Sequence, residues 1–162
     1  MQHGAFAVEL KIIDPRLRDW GLPDYQTAGA AAIDLCACVD GDIAIEPQAA
    51  AVLIPSGLAL HMNHLHCAAL ILPRSGLGHK KGLVMGNGVG LIDADYTGQV
   101  FISAWNRNPA GNAPIIIQPG ERIAQLMFVP ILRPALNVVD AFSQETERGA
   151  GGFGSTGTGG AA

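Results

Sequence analysis

The chain has 162 residues and a net charge of −4, so its length suits one compact domain rather than two. No uninterrupted apolar stretch reaches the roughly 18 to 20 residues that a membrane-spanning helix needs. Residues 1–10 also lack a basic segment leading into an apolar one, the pattern of a secretion signal. We therefore expect neither a membrane nor a secreted protein, and the negative charge argues against general affinity for nucleic acid.

Charged residues make up 15% of the chain, well below the roughly 25% of an ordinary soluble domain. Such a protein is expected to cover part of its surface in a subunit interface, which predicts a symmetric homo-oligomer. The three cysteines, Cys36, Cys38 and Cys67, form neither a disulfide framework nor a Cys-x-x-Cys pair. They indicate a reducing compartment, and we expect the cytoplasm.

Glycine (21 residues) and proline (10 residues) interrupt the chain too often for long helices. Between the interruptions lie short alternating or apolar runs of strand length, at residues 8–13, 33–37, 42–45, 51–54, 58–62, 67–72, 100–105, 115–117 and 122–128. No recurring strand–helix unit accompanies them. The pattern predicts an all-β fold, an antiparallel jelly-roll-like β-barrel, with at most one or two short helical turns.

The C-terminal stretch differs in kind, since residues 149–160 hold seven glycines and one large side chain, Phe153. We expect a barrel domain over residues 1–143 and a flexible arm over residues 144–162. By itself this arm is typical of a disordered terminus.

A basic segment lies within the acidic chain, because no acidic residue occurs between Glu46 and Asp93. Arg74, Lys80 and Lys81 fall in this interval, and Arg74 begins an Arg-Ser-Gly turn directly after the run at 67–72. A guanidinium, a hydroxyl and unshielded backbone N–H groups suit a bound polyanion such as phosphate. A solvated basic loop would show the same pattern.

A second glycine-rich turn, residues 86–98, delivers Asp93, Asp95 and Tyr96. In an extended segment the two carboxylates share one face, so one could serve as a general base. Turn capping explains the same Asp-x-Asp pattern equally well.

A histidine cluster, His61, His64 and His66, precedes Cys67 but has no second cluster with zinc-type spacing. The His-x-Glu and Pro-Cys-x-x-Cys elements of zinc deaminases are absent from the sequence. We expect a structural role for these histidines.

Five segments in order resemble the motifs of the trimeric dUTPase (deoxyuridine triphosphate diphosphatase) family. They are AAAIDL at residues 30–35, PRSGLG at 73–78, GLIDADY at 90–96, PGERIAQL at 119–126 and RGAGGFGSTG at 148–157. The resemblance implies a jelly-roll homotrimer with active sites at subunit contacts. It also implies Mg²⁺-dependent hydrolysis of dUTP to dUMP and pyrophosphate, which limits uracil incorporation into DNA and supplies dUMP for dTMP synthesis.

By this resemblance Asp93 is the general base for a water that attacks the α-phosphorus. Mg²⁺ is held mainly by triphosphate oxygens and waters, and Asp34 assists through a water. The phosphate contacts implied in the body of the chain are Arg74, Ser75, Gly76 and Gln125.

The resemblance also implies a nucleoside site. Asn87, with backbone near Leu91, Ile92 and Phe101, reads the uracil edge, and Tyr96 lies against the deoxyribose. The arm closes over the site, where Phe153 covers the uracil ring and four residues contact phosphate: Arg148, Gly152, Ser155 and Thr156.

Two alternatives remain. A deoxycytidine triphosphate deaminase shares the fold, but the hairpin from Asp93 to Tyr96 and the complete fifth motif favour a dUTPase. The other is a catalytically silent relative that senses nucleotide or binds a protein partner. The intact Asp93, Arg74, Gln125 and Phe153 argue against this alternative.

Overall fold

The structure, a computed structural model, describes residues 7–151. Within this range it contains ten strands, one short α-helix and one π-helical turn. The strands are β1 (Glu9–Ile12), β2 (Ile33–Cys36), β3 (Ile43–Ile45), β4 (Val52–His61), β5 (Cys67–Pro73), β6 (Leu83–Met85), β7 (Gly90–Ile92), β8 (Gln99–Asn106), β9 (Ile115–Ile117) and β10 (Arg122–Pro130). The helix α1 spans Leu17–Trp20, and the π-helical turn spans Leu77–Lys81.

All strand pairs are antiparallel and form three sheets, in the orders β1-β4-β8-β6, β2-β10-β5-β7 and β3-β9. Strand β8 illustrates why these runs form strands with one buried face. Its side chains point alternately into the core and toward the outside. Val100, Ile102 and Ala104 are fully buried, whereas Phe101 between them is exposed. The predicted all-β, antiparallel jelly-roll-like fold with two short helical turns is confirmed.

Strand β4 corrects the predicted boundaries, because the runs at 51–54 and 58–62 belong to one strand. Its register on β8 shifts between Pro55 and Ala59. Gly57 lies in this irregularity with φ +72°, and a Cβ atom there would overlap Cys38. A bulge at Gly57 therefore keeps the strand continuous where the sequence pattern predicted an interruption.

Strands β6 and β7 were not among the predicted runs, because each has three residues and lies in a glycine-rich stretch. Strand β7 forms by pairing with β5, with Gly90 opposite Ile71. A Cβ atom on Gly90 would lie 2.9 Å from the Cβ atom of Ile71, so close contact between the two strands requires glycine here.

The chain divides into two compact units, residues 1–132 and 133–162. The described part of the second unit, residues 133–151, contains no helix or strand. Local bonds form a turn in it, in which Gly149 N donates to Thr146 Oγ1 (3.1 Å). The expected division after residue 143, and an arm that closes over a site, stay predictions. None of the described helices is long and apolar enough to span a membrane.

Candidate active site

The sheet β2-β10-β5-β7 aligns three of the sequence motifs. Gln125 on β10 lies opposite Asp34 on β2 and opposite Leu72 on β5. The chain leaves β5 at Pro73, so Arg74 emerges beside this row. The second and fourth motifs, together with Asp34 of the first, are therefore neighbours at one end of the sheet.

Asp34 and Arg74 form the central ion pair of this region. Arg74 Nε lies 3.0 Å from Asp34 Oδ1, and the carboxylate is 16% exposed. Arg74 Nη1 also donates to the backbone oxygen of Arg122 (2.9 Å). A guanidinium has five N–H donors, so three remain for a further acceptor. The two contacts fix the orientation of the group without using up its capacity to bind an anion.

Gln125 is held in a similar way, since its Nε2 atom donates to the carbonyl oxygen of Pro73 (3.0 Å). One Nε2 hydrogen and the Oε1 atom remain for other partners. Ser75 and Gly76 follow in the exposed turn after β5. Asp34, Arg74 and Gln125 are thus presented by paired strands, whereas Ser75 and Gly76 are presented by a turn.

An open cavity of about 530 Å³ lies over these groups. It brings together all four of the phosphate contacts implied in the body of the chain. Its lining consists of Gln26, Ala32, Asp34, Arg74, Ser75, Gly76, Leu77, Lys80, Lys81 and Gln125. The lining carries three cationic side chains and one carboxylate, so it suits an anionic ligand.

Arg122 belongs to the fourth motif, but neither its residue type nor the resemblance predicted a role for it. Its backbone oxygen accepts from Arg74, and its Nη1 atom lies 3.4 Å from Asp34 Oδ2. Arg122 therefore holds both members of the ion pair. The side-chain contact could be suspected from the motif, whereas the backbone contact has no signature in the sequence.

The Asp93 hairpin lies at the other end of the same sheet. Strand β7 is antiparallel to β5, and Ile92 lies opposite Ala69. Four residue steps along the strand, about 13 Å, separate Ala69 from Pro73. Asp93 and Arg74 lie beyond opposite ends of that interval. Arg74 reaches toward Asp34 on β2, whereas β7 lies on the far side of β5. The fold of one chain therefore separates Asp93 from the cavity.

The hairpin itself is well defined. Tyr96 N donates to Asp93 O (3.1 Å), and the Tyr96 hydroxyl donates to Gln99 O (2.9 Å). Asp93 is exposed, and the Tyr96 ring is about half exposed. Gly98 leaves room for this ring, since a Cβ atom there would lie 2.6 Å from the hydroxyl oxygen.

Four predicted nucleoside contacts lie along β7 and β8. Gly86 N donates to Ser103 O (2.8 Å), which places the turn containing Asn87 against β8. Phe101 lies two residues from Ser103 and therefore on the same outer face of that strand. The other two contacts are Leu91 and Ile92 on β7, where Leu91 is 62% exposed.

Metal binding by side chains alone is not indicated by the described residues, because no three or more of their His, Cys, Asp or Glu side chains are placed so that they could hold a metal ion. Asp34 has both carboxylate oxygens next to arginines. Such a carboxylate suits contact with Mg²⁺ through a water better than direct ligation. Mg²⁺ commonly keeps several waters and binds through substrate phosphates, which fits this donor set.

Of the predicted contact residues in the arm, the structure describes Arg148 alone. Gly152, Phe153, Ser155 and Thr156 lie outside the described residues. Arg148 belongs to the second unit, where its Nε atom donates to Gly151 O (2.8 Å).

The other candidate groups take no part in this cavity. His61 pairs with Glu9 at the surface (2.8 Å). The three cysteines are buried, and burial raises the pKa of the Cys38 thiol to about 11. A thiol with a raised pKa is a poor nucleophile near neutral pH, so the structure supplies no activated cysteine.

The dUTPase family model matches residues 18–157 of the chain. The chain belongs to the dUTPase family. Curated dUTPases from Burkholderia multivorans and Nitrosospira multiformis, each named deoxyuridine 5'-triphosphate nucleotidohydrolase, are both 55% identical over 150 residues. These alignments cover 93% of this chain and 97% of each relative. The predicted family and the enzyme class, a hydrolase, are confirmed.

Solved dUTPase structures agree with this assignment. A Staphylococcus bacteriophage 80alpha dUTPase determined with dUpNHpp has a TM-score of 0.77 and 26% identity, over 93% of this chain and 98% of that one. The dUTPase of phage phi11 of S. aureus, described with a structural Mg(II) ion, has a TM-score of 0.70 at 22% identity, over 85% of this chain and 99% of that one. The second likeness concerns the fold alone.

Proposed function

We propose that the protein hydrolyses dUTP to dUMP and pyrophosphate with Mg²⁺, by attack of water on the α-phosphorus. The observation that carries the proposal is the cavity in which Arg74, oriented by Asp34 and Arg122, keeps three N–H donors for an anion. Phosphoryl transfer depends mainly on positioning and on stabilising charge. A guanidinium already fixed in orientation needs little reorganisation when charge moves toward the leaving group.

The triphosphate binds in this cavity. Arg74, Ser75, Gly76 and Gln125 supply N–H and O–H donors from one wall, and Arg148, Gly152, Ser155 and Thr156 add contacts from the arm. When Mg²⁺ binds together with the triphosphate, Asp34 would help to hold it through a water. The ion neutralises part of the triphosphate charge.

Asp93 is the general base. It takes a proton from the attacking water in a cavity that belongs to another copy of the chain. The separation along β5 supports this assignment, since the hairpin and the cavity lie at opposite ends of one sheet. A threefold homotrimer lets each hairpin reach a neighbouring cavity. Exposed apolar side chains within residues 1–132 give independent support, since Leu53 and Leu65 are 66% and 64% exposed in the single chain.

The nucleoside lies against the hairpin. Asn87 and the backbone of Leu91 and Ile92 read the uracil edge, Phe101 lies beside them, and Tyr96 packs on the deoxyribose. The hydrogen bond from the Tyr96 hydroxyl to Gln99 O supports this role, because it fixes the position of the ring. A fixed ring packed on the sugar would leave no room for a ribose 2'-hydroxyl. Phe153 then covers the base when the arm closes, which shields the site from bulk solvent while the attacking water stays inside it.

The test is pyrophosphate release by the purified protein with Mg²⁺, measured for dUTP, dCTP, dTTP and UTP. We expect release from dUTP alone, and its loss in Asp93→Asn, with Asp95→Asn as the matched control. Release of ammonia from dCTP would instead support the deaminase alternative. Binding of dUTP without turnover would support a silent nucleotide sensor, and either outcome would overturn the proposal.

A further inference from the structure

The π-helical turn Leu77–Lys81 follows the phosphate contacts directly and is fastened to the chain after β8. Gly78 O accepts from Arg107 Nη2 (3.1 Å) and Nε (3.3 Å). Lys81 O accepts from Asn108 Nδ2 (2.9 Å). These bonds hold both ends of the turn by side chains about thirty positions later in the sequence.

Gly82 completes this attachment. It adopts φ +80°, donates its N–H to Leu77 O, and accepts at its own oxygen from Arg107 N (3.0 Å). A Cβ atom at this position would overlap the side chain of Asn108. Glycine is therefore required both by the left-handed backbone and by the close packing.

The fixed turn presents two lysines to the cavity. Lys80 and Lys81 are exposed, line the cavity beside Arg74, and form no ion pair within residues 7–151. The single carboxylate of the lining, Asp34, is already paired with Arg74 and Arg122. The lining thus has a net charge of +2 in a chain whose net charge is −4.

We propose that Lys80 and Lys81 are a capture site for the β- and γ-phosphates of the nucleoside triphosphate. This inference rests on the proposed function, and it assigns residues to which the motif resemblance gave no role. The lysines act before chemistry, by raising the association rate and the affinity for the polyphosphate. Because ammonium groups are strongly hydrated point charges on flexible stems, they suit attraction better than fixed bidentate positioning.

The effect of the two lysines on kcat/KM should depend on ionic strength. Exposed charges are screened by salt, with a Debye length of about 10 Å at 0.1 M. In Lys80→Gln/Lys81→Gln, we expect kcat/KM for dUTP to fall about 5- to 10-fold at low ionic strength and much less at about 0.5 M salt. The loss should appear mainly in KM. The charge-preserving Lys80→Arg/Lys81→Arg should retain most of the wild-type value, and Lys11→Gln on β1 is the single-charge control.

Binding provides a second readout that does not need turnover. We expect the double glutamine variant to weaken binding of the dUTP analogue dUpNHpp by a similar factor, and to change the affinity for dUMP by less than twofold. A variant that binds both ligands and hydrolyses dUTP like the wild type would overturn the capture site alone. A wild-type protein that binds dUpNHpp but does not hydrolyse dUTP would instead overturn the proposed function. Equal losses for dUMP and dUpNHpp would overturn the assignment to the outer phosphates.

Discussion

Replacing Gly90 with alanine tests how tightly the Asp93 hairpin is attached to the sheet. The new Cβ atom would lie 2.9 Å from Ile71 Cβ, 3.2 Å from Ile71 Cδ1 and 3.3 Å from Ile71 Cγ1. Carbon atoms prefer about 3.5 to 4.0 Å, so the overlap with a buried branched side chain is at least about 0.6 Å. Overpacking of this kind costs about 1 to 3 kcal/mol. The expected fall in melting temperature is roughly 2 to 12 °C.

The assay is chemical and thermal unfolding at one fixed protein concentration, since oligomerisation makes stability depend on concentration. Gly41→Ala is the matched control, because a Cβ atom there meets nothing within 4 Å and the backbone is not left-handed. The double variant Gly90→Ala/Ile71→Val removes one of the close carbons and should recover part of the loss. If Gly90→Ala is as stable as Gly41→Ala, strand β7 is not packed on β5 as described.

The same substitution should affect turnover. Asp93 comes three residues after Gly90, so moving β7 away from β5 also moves the proposed base. A misplacement of about 1 Å can cost about 100-fold in rate. We expect kcat for dUTP to fall by more than about tenfold under conditions in which the variant remains folded.

Three further predictions concern the cavity, the arm and the cysteines. Asp34→Asn removes the charge that orients Arg74, so kcat/KM for dUTP should fall at least about tenfold while the unfolding free energy changes by less than about 1 kcal/mol; Asp42→Asn, an exposed carboxylate elsewhere, should change neither. A chain that ends before Arg148 should keep the wild-type mass of the assembly in light scattering and lose most turnover, and full turnover would refute the arm's role. Because burial raises the pKa of Cys38 to about 11 from 9.0, the folded state holds its proton longer than the unfolded state. The stabilisation from the protonated Cys38 thiol should be complete below pH 9 and lost between pH 9 and 11. In Cys38→Ala, the free energy of unfolding should vary less with pH over that interval.

The strand framework was largely predictable because it depends on local patterns. The run at 122–128 became β10, and the alternation of β8 places Val100 and Ile102 in the core. The three-residue strands were not predictable, since β6 and β7 are stabilised by pairing with distant strands rather than by their own sequence. The continuity of β4 through Gly57 depends likewise on a long-range contact with Cys38.

The candidate site shows the same division. Asp34, Arg74 and Gln125 could be named from motifs, but their proximity follows from the order β2-β10-β5, which pairs segments about 50 to 90 residues apart. The contribution of Arg122 was missed because half of it is a backbone oxygen. The distance between Asp93 and the cavity could not be predicted from the sequence either, since it depends on the antiparallel register of β5 and β7.

We propose that each active site uses Asp93 from one copy of the chain and Arg74 from another. The most direct test refolds Asp93→Asn and Arg74→Ala together at equal amounts and measures dUTP hydrolysis against each variant alone. Each variant alone should be inactive, whereas random mixed assemblies rebuild about a quarter of the sites with both groups intact. Recovery to about a quarter of the wild-type rate is the predicted result. If mass measurements show that mixed assemblies form and no activity is recovered, then Asp93 and Arg74 of one site do not come from two copies of the chain.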